Sequence, residues 1–85
     1  MTYTVRLHPK VDKFLKKCEA QLQERIRNKF QLLKEEPFRY LEHYEGDDCH
    51  KLRIGDYRAL VDVDQKNKIV FIRVLDHRRR IYKRN

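Results

Sequence analysis

Tryptophan is absent from this 85-residue sequence, and glycine, proline and cysteine occur only twice each. Each scarcity excludes something. Cys18 and Cys49 are too few for a disulfide framework and lack the CxxC spacing of a zinc-ligand pair. Cys18 falls on an apolar helical stripe and Cys49 just ahead of a strand, so both are expected as small core residues. Nor do Cys49 and His50 make a thiol and its base, because adjacent strand residues point to opposite faces. No phosphate-binding glycine loop, Ser/His/Asp arrangement, carboxylate pair or metal cluster is present, and His43 has no second ligand at metal-site spacing. No cofactor and no metal are therefore expected. No apolar run approaches the ~20 residues of a membrane-spanning helix and no signal peptide precedes Tyr3, so the chain is expected in the cytoplasm and off the membrane.

What is present is charge, in equal share with apolar residues at 40% each, as befits a folded chain rather than a disordered one. At this length one domain, residues 1–85, is expected. The net charge of +8 is unevenly placed: residues 1–48 hold ten Lys/Arg against nine Asp/Glu, residues 49–85 eleven against four. A one-sided positive field attracts polyanions, nucleic acid foremost, with an acidic protein as the rival.

The central stretch is Lys51 to Val63. Leu52 and Ile54 alternate with Lys51 and Arg53, Gly55-Asp56 supplies a tight turn, and Tyr57, Ala59, Val61 and Val63 alternate with Arg58, Leu60 and Asp62 on the return. Such a hairpin puts Arg58 close to Arg53 or Lys51. Upstream, Tyr3, Val5 and Leu7 form one face of a first strand, with His8 as its last residue. Pro9 opens a helix through Lys17 with Val11, Phe14, Leu15 and Cys18 on its stripe. A second helix is expected over about residues 21–35 on Leu22, Ile26, Phe30 and Leu33, its Lys and Arg residues mostly forming a solvated face. Pro37 should stop it, and residues 38–48 read as a loop with aromatic anchors Phe38, Tyr40 and Tyr44 and an acidic patch of Glu42, Glu45, Asp47 and Asp48. Asp64 to Asn67 is a turn. Residues 68–75, almost continuously apolar, read as a strand buried on both faces. The fold class is thus α+β: a strand, two helices, then an antiparallel three-stranded meander with helices on one face. The pairing partner of the first strand stays open.

Chemistry can live in Lys51, Arg53, Arg58, His77, Arg78 and Tyr82. Phosphodiester cleavage by a 2′-hydroxyl needs a base, an acid for the leaving 5′-oxygen and positive charge on the phosphorane, and this set contains those parts. Arg73, Arg79, Arg80, Lys83 and Arg84 extend it as RNA-binding cations. A basic face that binds without turnover fits the same composition.

Lys51-Leu52-Arg53, then Gly55-Asp56-Tyr57-Arg58, then His77-Arg78-Arg79-Arg80-Ile81-Tyr82, in the order strand, helix, helix, three strands, resemble the RelE/ParE superfamily of toxin–antitoxin modules and look like its RelE branch. The similarity covers essentially the whole chain. It implies a ribosome-dependent mRNA endonuclease that cuts in the A site without a metal, held inactive by a cognate RelB-like antitoxin in a heterotetramer. It implies that Lys51 and Arg53 are the basic pair, Arg58 the arginine on the scissile phosphate, Arg78 the second essential arginine and Tyr82 the tyrosine that stacks on a base. The family lysine two residues before Lys51 is replaced by Cys49, so the base would be Lys51 or His77; an imidazole titrates nearer neutrality than an ammonium group. The alternatives are a ParE-like inhibitor of DNA gyrase with no nuclease chemistry and a non-catalytic RNA-binding module.

Overall fold

A computed structural model describes residues 2–44 and 49–81. The chain runs β1 (Thr4–Leu7), α1 (Pro9–Lys17), α2 (Ala20–Leu32), α3 (Pro37–Tyr40), β2 (Glu42–His43), β3 (His50–Ile54), β4 (Tyr57–Asp64), β5 (Ile69–His77) and α4 (Arg78–Ile81). The expected α+β order of strand, helices and antiparallel meander is therefore present.

The sequence suggested His8 only as the last residue of the first strand, but β1 ends at Leu7. His8 is the N-cap of α1: its Nδ1 accepts a hydrogen bond from the Lys10 amide at 3.1 Å, and Pro9 follows where no helical donor is needed. Val11 and Leu15 bury the helix against the sheet. Across the short joint, the Gln23 side chain donates to the Leu15 carbonyl at 3.0 Å and fastens α2 to α1. α2 ends at Leu32, earlier than the apolar spacing suggests, because the chain bends there and turns the Lys34 carbonyl toward the Tyr3 amide at 2.6 Å. That bond ties the end of the helical pair back to the first strand. Pro37 consequently does not stop α2; it stands at the start of α3. The segment expected as plain loop contains this helical turn and the two-residue edge strand β2, while Glu45, Asp47 and Asp48 lie outside the described residues.

The sheet is five-stranded in the order β1-β5-β4-β3-β2. β1 lies parallel to β5, Thr4 opposite Ile69 and Leu7 opposite Ile72; the remaining pairs are antiparallel. Leu52, Ile54, Ala59, Val61, Val70 and Ile72 face the helices and close a core with Leu15, Ile26 and Leu33. On the other face a small second cluster joins Tyr44, Cys49, Leu60 and Ile81, with Val74 against it.

The apolar run in β5 has a different cause from burial on both faces. Leu60 pairs with Val74 and Val61 with Ile72, which leaves Arg73 as an extra residue and shifts the alternation by one. Ile72 and Leu75 thereby both reach the helix side, whereas Phe71 and Val74 on the open side are half-buried.

Candidate functional site

Strand alternation sorts the side chains of the hairpin. Leu52 and Ile54 go to the helix side, so Lys51 and Arg53 project from the open face, and the register sets Arg58 of β4 directly opposite Arg53. Gly55 makes the turn possible with φ of 60°, a left-handed conformation that an L side chain resists. The same positive end is reached by α4, whose Arg78 amide donates to the Asp56 carbonyl at 2.8 Å. Arg78, Arg79 and Arg80 are exposed along this single turn, and Ile81 then returns into the second cluster. Arg78 to Ile81 thus fold back over the end of the sheet.

The cations are not equally available. Glu42 of β2, directly opposite Lys51, sets its carboxylate 3.7 Å from Lys51 Nζ and 3.2 Å from Arg53 Nε. This carboxylate bridges the two cations. Arg58 is buried to 9% exposure, its Nη1 donating to the carbonyls of Gly55 at 2.6 Å and Tyr57 at 2.8 Å, while its buried Nε has no partner among the described residues. The arginine expected on the phosphate is therefore beside Arg53 but folded down onto its own turn. Opposite it on β5 is Asp76, and the two are the buried charged residues among those described. Asp76 Oδ1 accepts from the His77 amide at 2.7 Å.

His77 is one position further along and faces the helix side. Its ring meets the Tyr57 ring edge-on at 5.5 Å, and its Nδ1 accepts from the Arg79 amide at 3.3 Å. It is not brought to the open face with Lys51 and Arg53. Arg73 is set apart as well, at the bulge in the middle of β5, with Nε 3.5 Å from Asp62 Oδ2. Tyr82, Lys83 and Arg84 lie outside the described residues.

Sequence reasoning assigned Arg25 to a solvated helix face and Glu42 to a loop patch. Arg25 is exposed, yet its guanidinium lies over the turn, so close that a Cβ on Gly55 would meet Nη2 at 2.8 Å. No local spacing announces either residue, because Arg25 acts on a turn thirty residues away and Glu42 acts through the pairing of β2 with β3. Cys18 is inert: its Sγ donates to the Phe14 carbonyl at 3.3 Å and burial pushes the thiol up from its ordinary value. Among the described residues no group of three His, Cys, Asp or Glu side chains is arranged to hold a metal ion.

A sheet covered by helices on one side, with hairpin cations and an arginine turn at one end of the other, is the fold of the RelE/ParE toxin superfamily. A family model described as the ParE toxin of the type II toxin–antitoxin system, parDE, matches residues 5–82, and the chain belongs to that family. Solved structures agree. RelE from the archaeal RelE–RelB complex of Pyrococcus horikoshii OT3 is 30% identical, with a TM-score of 0.77 over 92% of this chain and 97% of that one. The toxin–antitoxin complex RelBE2 of Mycobacterium tuberculosis gives 27% and 0.75 over 91% and 99%. E. coli toxin RelE, solved free as a mutant, is 23% identical and shares the fold, with a TM-score of 0.74 over 98% and 93%. No curated protein matches the sequence significantly.

Proposed function

We propose that this toxin, acting in the cytoplasm as one domain over residues 1–85, cleaves mRNA on the ribosome. The observation that carries the reading is the open face of the hairpin, where Arg53 and Arg58 are directly paired and Lys51 is two residues from Arg53 on the same strand. Cross-strand partners have Cβ atoms about 4.5–5.5 Å apart, so three long cationic side chains can converge on one phosphodiester.

The reaction that suits such a face is attack of the 2′-hydroxyl on phosphorus. The O2′–P bond forms, the P–O5′ bond breaks, and one proton leaves the 2′-oxygen while another reaches the 5′-oxygen. Of the candidates for proton transfer, Lys51 shares the face with Arg53 and Arg58, Arg78 begins α4 at the hairpin end, and His77 faces the other way. Lys51 at the 2′-hydroxyl and Arg78 toward the leaving oxygen is the assignment that needs least rearrangement. Two contacts must yield before phosphate can bind: Glu42 has to release Lys51 and Arg53, and Arg58 has to lift from the Gly55 and Tyr57 carbonyls. A guanidinium then offers two donors to two phosphate oxygens, which an ammonium group cannot do.

The partner that restrains the toxin is a RelB-like antitoxin, because the similar RelE chains were solved with RelB. An acidic helical segment laid on the basic half would suit residues 49–85, and association should slow as salt is raised. A toxin–antitoxin heterotetramer is the expected assembly.

Single-turnover cleavage of ribosome-bound reporter mRNA at saturating toxin tests the proposal. Arg58→Lys should bind ribosomes but cleave ~10²–10³-fold more slowly, as for loss of a donor to the developing charge of the transition state. Equal rates would remove Arg58 from the mechanism. The second reading, a gyrase inhibitor, draws on the ParE family model and on the engagement of Lys51 and Arg53 by Glu42. Intact mRNA in a primer-extension assay together with loss of gyrase supercoiling would establish it in place of the first.

A further inference from the structure

The hairpin has a second side that the cleavage reading leaves unused. Tyr57 and His77 are direct register partners one step from the Arg58/Asp76 pair, so they point away from the open face. There they meet Phe14 of α1: Phe14 and Tyr57 are 6.1 Å apart and edge-on, as are Tyr57 and His77 at 5.5 Å. The three rings wall a shallow cleft of about 340 Å³, completed by Asp76, Arg79 and Arg80. Phe14, Tyr57 and His77 are each only partly buried, and Arg79 and Arg80 are exposed.

We infer that this cleft is a nucleotide subsite, in which one unpaired RNA base lies against Phe14, Tyr57 and His77 while Arg79 and Arg80 hold its phosphate. The chemistry is that of single-strand recognition, where aromatic and imidazole rings take the base face and guanidinium groups track the backbone. Continuity with the open face favours RNA over an acidic peptide. α4 leaves His77 on the helix side and arrives at Ile81 in the open-side cluster, presenting Arg78, Arg79 and Arg80 in succession. A flexible polyanion can follow these three guanidinium groups from the hairpin cations around the end of the sheet into the cleft, so that one strand occupies both. The inference deepens the mRNA reading and rests on it for the identity of the ligand.

The test is an NMR titration of the full chain, at low ionic strength, with adenosine 5′-monophosphate and separately with ribose 5-phosphate. Adenosine monophosphate should shift the Phe14, Tyr57 and His77 ring signals, and ribose 5-phosphate should bind about tenfold more weakly because stacking is lost. Phe14→Leu should erase that difference. Since Phe14 also packs against the core, the exposed pair Arg79→Gln and Arg80→Gln provides a second variant, expected to weaken both ligands roughly fivefold without disturbing the fold. Equal affinity for the two ligands would overturn the inference by reducing the cleft to an anion site. Tighter binding of an acetylated tetraglutamate peptide at the same residues would overturn it in favour of a peptide. Failure here is separable from failure of the cleavage reading: mRNA cleavage with no ring shifts refutes the subsite alone, and ring shifts with uncut mRNA refute the nuclease alone.

Discussion

The two faces of the hairpin sheet are built from alternate residues of the same strands and have opposite characters. On the helix side Leu52, Ile54, Val61, Val70 and Ile72 are at most 1% exposed and packed against α1 and α2. On the open side the apolar cluster shrinks to Tyr44, Cys49, Leu60 and Ile81, and the neighbouring positions go to Lys51, Arg53, Arg58, Asp62 and Asp76. Apolar burial is therefore concentrated on one face, and the other carries charges, of which exposed ones such as Arg53 do little for stability. A period of two lets one short hairpin do both, since neither set of residues has to compromise for the other.

The sharpest way to break the comparison is to truncate one side chain on each side to alanine. Leu15→Ala, in the fully buried helix-side core, should cost about 2–5 kcal/mol in urea denaturation. Arg53→Ala on the open face should stay within about 0.5 kcal/mol of wild type in the same assay while abolishing mRNA cleavage. If the two variants are equally destabilised, the division of labour is wrong.

Gly55→Ala probes the turn that both faces share. The left-handed φ alone makes an L side chain cost about 1–2 kcal/mol, and the exposed Arg25 guanidinium can move aside from the new Cβ. Thermal melts should therefore show a moderate loss that Arg25→Ala does not relieve.

Glu42→Gln acts on charge rather than packing. Its ion pairs to Lys51 and Arg53 are partly exposed, and such pairs contribute only about 0–1 kcal/mol, so stability should hardly change. Removing the carboxylate should nevertheless raise affinity for single-stranded RNA several-fold and steepen its salt dependence. Unchanged binding in a filter assay would mean that Glu42 does not compete with phosphate.

The smallest effect belongs to the β4–β5 turn. Asp64 accepts from the Asn67 side chain and amide at 2.8 and 3.1 Å, and these bonds hold its carboxyl below the usual range. A depressed carboxyl pKa adds stability above its unfolded value that is lost as pH falls through the folded one. Asn67→Ala should lower the melting temperature slightly near neutrality, and the gap from wild type should close as pH falls through the carboxylate range.

The features legible in the sequence were those carried by local period and turn chemistry. The Lys51 to Val63 hairpin, the positive φ of Gly55, the start of α1 at Pro9 and the meander order all follow from alternation, glycine and proline. What stayed hidden was set by contacts across the chain. β2 is two residues long and exists only because β3 gives it a partner. The parallel docking of β1 on β5 has no signature in either strand. The bulge at Arg73 disguised a one-faced strand as a two-faced one. At the site, Lys51, Arg53 and Arg58 could be set together from register alone. The closure of Arg58 onto the Gly55 and Tyr57 carbonyls, and the turning of His77 to the far side, depend on side-chain geometry that no spacing encodes.

The parallel pairing of β1 with β5 bears on the order in which the molecule can be made. Thr4 hydrogen-bonds through its amide to the Lys68 carbonyl, and its register partner is Ile69. During synthesis the N-terminal strand must remain without its sheet neighbour until nearly every other described element has left the ribosome. The α1–α2 pair can form early from local contacts, but it has no sheet to cover until the meander appears, and closure of such distant pairings is slow. Because α4 and the hairpin cations assemble together with β5, a nascent toxin cannot present its basic face before these elements have emerged. A partner that recognises that face would therefore meet it only after the N-terminal strand has found its place in the sheet.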